Sequence, residues 1–107
     1  MKLADDTSCS DTSAMEKTVF SIDCWFDGHV QGVGFRYTAV ALAKGYEVTG
    51  SVRNLSDGRV YLRAEGEESE VRDFHLALSA EMEDYIRETE VKTESGPRTR
   101  EGFKILD

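Results

Sequence analysis

The apolar residues of this chain switch repeatedly between a period of two and a period of three to four, and that alternation limits the fold more than any other feature. Phe20, Ile22, Cys24 and Phe26 alternate with Ser21, Asp23, Trp25 and Asp27. This is the pattern of a strand with one buried face, and it sets Trp25 on the opposite face. Gly28 to Gly34 is a glycine-punctuated loop. From Phe35 to about Tyr46 the spacing of Phe35, Ala39, Leu42, Ala43 and Tyr46 suits one face of a helix, with Gly45 weakening it near the end. Val48 to Asn54 returns to strand, and Gly50 inside it points to a bulge or to close approach by another segment. Ser56-Asp57-Gly58 is a hairpin turn signal, after which Val60 and Leu62 share one face and Tyr61 and Arg63 the other.

The strongest helical pattern starts near Glu68, where Val71, Phe74, Leu78, Met82 and Tyr85 recur every three or four positions. Glu67, Glu68 and Glu70 lie in or near its first turn, where the helix dipole favours negative charge. Arg87 to Thr93 reads as a strand, Ser95-Gly96-Pro97 as a break, and Phe103-Lys104-Ile105-Leu106 as a short last strand. Strand, helix, strand, strand, helix, strand is the order of an α+β, ferredoxin-like βαββαβ sandwich. The expected form is an antiparallel sheet with two helices on one face and an extra short C-terminal strand.

With 107 residues the chain has room for one domain. Residues 1–17 contain no Val, Ile, Phe, Tyr or Trp and are rich in Ser, Thr and Asp, which predicts a disordered N-terminal tail ahead of a domain over 18–107. The formal net charge of -8 removes any bulk attraction to phosphate backbones or anionic lipid, so neither nucleic acid nor a membrane is expected as a partner. No apolar run approaches the ~20 residues of a membrane span, the N-terminus lacks the apolar stretch of a signal peptide, and a cytoplasmic location is expected. Cys9 and Cys24 lack the clustered spacing of a zinc site and read as free thiols.

An anion bound by so acidic a chain needs a local positive site, and Gly28-His29-Val30-Gln31-Gly32-Val33-Gly34-Phe35-Arg36 offers one. Gly32 and Gly34 let successive backbone N–H groups converge, and the following helix N-terminus adds unpaired donors. Arg36 supplies a planar fork that can hold two phosphate oxygens. The same residues are also compatible with an ordinary tight turn and a solvated arginine. Tyr37 stands where a dinucleotide fingerprint would be completed and no Gly-Lys-Ser/Thr occurs, which argues against nucleotides. Asn54, at the end of the second strand, can orient a water through its donor and acceptor, or can bond its own turn. The carboxylates of Asp5-Asp6, Glu67-Glu68 and Glu83-Asp84 read as solvated, His29 as facing water, His75 as structural, and Cys24 as a small core residue.

These two segments, Gly28 to Arg36 and Gly50-Ser51-Val52-Arg53-Asn54-Leu55-Ser56-Asp57-Gly58-Arg59-Val60, resemble the two signature segments of the acylphosphatase family. The resemblance covers about Phe20 to Ile105. It implies a ferredoxin-like sandwich and cofactor-free hydrolysis of the carboxyl–phosphate bond of small acyl phosphates, releasing inorganic phosphate; such chemistry requires no metal, and a monomer is expected. It further implies that Arg36 and the backbone N–H groups of Gln31, Gly32, Val33, Gly34, Phe35 and Arg36 bind the phosphoryl group, and that Asn54 positions the attacking water. A carbamoyl-phosphate-handling domain and a non-catalytic anion-binding module of the same fold are the alternatives. Ser51 stands where the family usually has Trp, Glu47 where it has Gly, and Ala80 to Tyr85 lacks the usual Gly-Pro break. The first two are expected to alter packing and the rim near the site, the third to alter the join into the fourth strand.

Overall fold

The computed structural model describes residues 18–106. The expected tail over 1–17, with Cys9 and Asp5-Asp6, lies outside the described residues. Five strands and two helices follow in the order β1 (Val19–Gly28), α1 (Phe35–Ala43), β2 (Val48–Asn54), β3 (Val60–Gly66), α2 (Glu68–Glu81), β4 (Ile86–Gly96) and β5 (Phe103–Leu106). They form one sheet of spatial order β4-β1-β3-β2-β5. The first four strands pair antiparallel throughout, whereas β5 runs parallel to β2 at the edge, so the sheet is mixed. No helix among the described residues is long and apolar enough to cross a membrane.

The alternation in β1 is converted directly into packing. Ile22, Cys24 and Phe26 sit opposite Ala64, Leu62 and Val60 of β3, and all six are buried. Val48 and Val52 of β2 extend this surface, and Phe35, Ala39 and Ala43 of α1 with Val71, Phe74 and Leu78 of α2 close over it. Each fully buried Phe, Leu or Val contributes about 1.5–3 kcal/mol relative to exposure. Gly50 marks a close approach rather than a bulge: a Cβ there would lie 1.9 Å from the Arg63 carbonyl oxygen and 3.0 Å from the Phe103 ring.

Element ends differ from expectation where local period and tertiary contact diverge. α1 stops at Ala43, and the N–H groups of Lys44, Gly45 and Tyr46 turn back to Ala41, Leu42 and Ala43. Tyr46 nevertheless packs against Phe74 with ring centroids 6.0 Å apart, which is why it kept the helical spacing. α2 ends at Glu81, so buried Met82 and exposed Tyr85 belong to a turn. β4 continues past Thr93 through the expected break because Ser95 and Gly96 pair with Phe20 and Val19.

The face of the sheet away from the helices is polar. Arg63 bonds both Asp23 oxygens at 3.0 and 2.9 Å and Glu65 at 3.0 Å, and the Tyr61 hydroxyl donates to Asp23 at 2.6 Å. Tyr61, whose ring also lies 5.2 Å from that of Trp25, has its pKa pushed up to about 12 by burial and by the Asp23 bond. Glu65 is fully buried and accepts from the N–H groups of Thr99 and Arg100 and from the Thr99 hydroxyl. This carboxylate therefore pins the segment that carries the chain to β5.

Candidate active site

Strands β1 and β2 both run antiparallel to β3, which lies between them, so their C-terminal ends emerge at the same end of the sheet. That placement brings the Gly28–Gly34 loop beside Asn54, although Gly34 and Asn54 are 20 positions apart in sequence.

The loop enters α1 through Gly34, whose φ of 80° and ψ of 16° are left-handed. Gly32 has φ 81°, and no atom lies within 4 Å of a Cβ built at either glycine, so the space in front of the backbone is open. The first turn of α1 contains no acidic residue and no side chain caps it, which leaves its leading N–H groups and the positive end of the dipole facing that space. Phe35 roots the turn: it is 2% exposed and its ring lies 4.9 Å from that of Phe26. At the loop's other end the His29 N–H donates to the Tyr85 carbonyl at 2.8 Å. The join lacking Gly-Pro thus becomes a turn over residues 82–85 that anchors the loop.

The Gln31 amide does something the sequence did not reveal. Its Nε2 donates to the carbonyls of Leu55 at 2.8 Å and Arg59 at 2.9 Å, tying the loop to the β2–β3 hairpin directly after Asn54. The hairpin is itself closed by Leu55 N–H to Arg59 O at 2.8 Å and by Asp57, which accepts from the Arg59 N–H at 3.1 Å and from its Nε at 2.9 Å. The Arg59 backbone bond, with its guanidinium, holds the Asp57 carboxyl below the usual range. Among the described residues, Leu55, Asp57, Gly58 and Arg59 carry the turn, and the Asn54 side chain takes no part in it.

A cavity of about 240 Å³ opens between these elements. Gly32, Gly34, Phe35, Arg36 and Asn54 line it, as do Val30 and Tyr37, two residues sequence reasoning had not assigned to the site. Gln31 and Val33 are not among the lining groups: the Gln31 amide faces the hairpin and Val33 packs against the core. Arg36 has no carboxylate within 4.0 Å among the described residues. A cavity with convergent N–H donors, one free guanidinium and a neutral amide can hold a tetrahedral anion and orient a neutral water beside it.

The expectation that Ser51 and Glu47 shape the rim is corrected. Ser51 is 2% exposed, points to the polar face of the sheet, and accepts from Arg100 Nε at 3.4 Å. Glu47 precedes β2 at the end remote from Asn54, where its N–H donates to Glu70 at 2.8 Å. Neither lines the cavity. Burial, with the Asp23 charge adding to it, pushes the Cys24 thiol up to about 12, so it is inert core. His75 stacks against Phe26 at 6.2 Å, and burial, then the Arg72 charge, lowers its pKa. Among the described residues no group of three His, Cys, Asp or Glu is placed to hold a metal ion.

Known proteins share this arrangement. The acylphosphatase family profile matches residues 22–105. The chain is 37% identical over 93 residues to the acylphosphatase of Corynebacterium glutamicum, covering 83% of this chain and 97% of that one. It is 41% identical over 78 residues to the acylphosphatase of Bacillus licheniformis, covering 73% and 84% respectively. The crystal structure of acylphosphatase from Bacillus subtilis matches with a TM-score of 0.74 at 29% identity, over 82% of this chain and 99% of that one. Full-length HypF also matches, with a TM-score of 0.67 at 26% identity, although this chain spans only 12% of it. A profile that runs from the first strand to the last, and relatives matched along nearly their whole length, place this chain in the acylphosphatase family.

Proposed function

We propose that this acylphosphatase hydrolyses small acyl phosphates in the 240 Å³ cavity at the α1 N-terminus, with Arg36 and Asn54 in separate roles. Arg36 and the backbone N–H groups of the lining residues Gly32, Gly34, Phe35 and Arg36 hold the phosphoryl oxygens. Asn54 holds a water through one donor and one acceptor, without adding charge beside an anionic substrate. The water oxygen bonds to phosphorus, the bond from phosphorus to the carboxyl oxygen breaks, and carboxylate and inorganic phosphate leave with the water's protons shared between phosphate and solvent. An acyl phosphate already carries a good leaving group, so positioning and charge stabilisation suffice and the scheme calls on no cofactor. Every group the scheme uses comes from one chain, so the chemistry calls on no second copy.

The observation that carries the reading is that Gly32, Gly34, Arg36 and Asn54, from two different βα and ββ connections, line one cavity. A purely structural Asn54 would bond its turn, and that turn is closed by other residues. The test compares two variants. Arg36→Ala removes a charged partner of both ground and transition states and should abolish phosphate binding together with turnover. Asn54→Ala should cut kcat by roughly 10²-fold or more while phosphate still binds. Equal loss of phosphate binding in both would defeat the separate roles, and full activity in Arg36→Ala would defeat the site.

A further inference from the structure

We infer that Tyr37 selects the acyl half of the substrate, favouring neutral aromatic or other flat apolar acyl groups. This inference rests on the proposed function and adds to it the substrate class and the residue that sets it. The cavity, at about 240 Å³, has room for a phosphoryl group together with a small acyl group. Its floor is made by Val30 and Phe35, at 0% and 2% exposure, and its polar groups are those assigned to the phosphoryl oxygens and the water. The acyl group is therefore left to the apolar lining and the mouth. There the first turn of α1 presents Tyr37, a lining residue that is 72% exposed, the most exposed large hydrophobic residue among the described residues. An aromatic ring held at a rim offers a flat surface for stacking at little entropic cost, since only two side-chain torsions are fixed. Arg36 is the one charged lining group, and the phosphoryl group uses it. An acyl chain bearing a second carboxylate would find no further cation among the lining residues and would feel the field of a chain of net charge -8.

The measurement is calorimetric titration with benzoylphosphonate, acetylphosphonate and succinylphosphonate, non-hydrolysable acyl phosphate analogues, so that binding is read independently of turnover. Wild type should bind the benzoyl analogue more tightly than the acetyl one, and the succinyl analogue no more tightly than the acetyl one. Tyr37→Ala should shrink the benzoyl-to-acetyl affinity ratio two- to tenfold, the range one exposed aromatic contact supports, and Tyr37→Phe should retain it. An unchanged ratio in Tyr37→Ala, or a ratio near one in wild type, would overturn the assignment. Binding of the analogues with the Tyr37 dependence intact, but no release of phosphate from benzoyl phosphate or acetyl phosphate, would defeat the proposed hydrolysis and leave the acyl contact standing. Failure of wild type to bind inorganic phosphate or any analogue would overturn both.

Discussion

Gln31 is the most informative residue to perturb, because one neutral side chain joins the two halves of the site. Gln31→Ala removes the donors to the Leu55 and Arg59 carbonyls at 2.8 and 2.9 Å. Each such bond has a net worth of about 1 kcal/mol. The Arg59 carbonyl keeps its bond from the Leu55 N–H, and both residues are half-exposed, so water can replace part of what is lost. The expected cost is about 1–2 kcal/mol, which in a domain of this size lowers Tm by roughly 5–15 °C. Gln31→Glu distinguishes a hydrogen-bond role from a packing role. An ionised carboxyl there faces two carbonyl oxygens and has no proton to donate, so its folded-state pKa is raised above the unfolded value near 4.3. The variant should then match Gln31→Ala or better at low pH and become less stable than it as pH rises through that raised pKa. Thermal unfolding of both variants from pH 4 to 8 measures this, and kcat should fall at least about tenfold in each as Asn54 loses its fixed distance from the loop. A Gln31→Glu variant as stable as Gln31→Ala at pH 8, or a Gln31→Ala variant with wild-type kcat, would refute the reasoning.

Other outcomes can be stated more briefly. Burial pushes the Glu65 pKa up, but the bonds from Thr99, Arg63 and Arg100 outweigh it and leave the pKa below the usual value; its contribution is therefore present above pH ~4.5 and lost as pH falls through the lowered value. Glu65→Ala should cost about 3 kcal/mol at pH 7 in urea unfolding and flatten the acid limb; retention of the wild-type acid limb would show that the staple is unimportant. His75, with its buried Nε2 unpaired and its pKa lowered, resists the proton that the unfolded chain takes up near pH 6.5, so stability falls as pH drops below that value. His75→Leu should raise stability by about 1 kcal/mol and remove this slope, as chemical denaturation at pH 7.5 and 5.5 would reveal. Inorganic phosphate at a hundred times its Kd should stabilise the wild type by about 2.7 kcal/mol and Arg36→Ala not at all, which a thermal shift titration checks.

Much of the fold was legible because burial on a strand or helix face imposes a period on the sequence itself. The alternation in β1 and the spacing of Val71, Phe74 and Leu78 in α2 record which side chains leave water, and those residues form the core. Gly50 recorded a close approach, since no larger residue fits 1.9 Å from the Arg63 carbonyl. The Gly-rich loop, Arg36 and Asn54 were legible as chemical types whose presence on an acidic chain calls for explanation. Pairing information was not there to read. The extension of β4 to Gly96 depends on partners in β1, and the parallel run of β5 depends on Glu65 holding Thr99 and Arg100 from 34 and 35 positions away. The tie from Gln31 to the hairpin, the opposite-face position of Ser51 and the place of Tyr37 at the cavity mouth have the same origin. A periodic pattern states which face a residue occupies, whereas a hydrogen bond across 24 residues exists only once β1, β3 and β2 have set their register, because neither donor nor acceptor carries a sequence mark of the other.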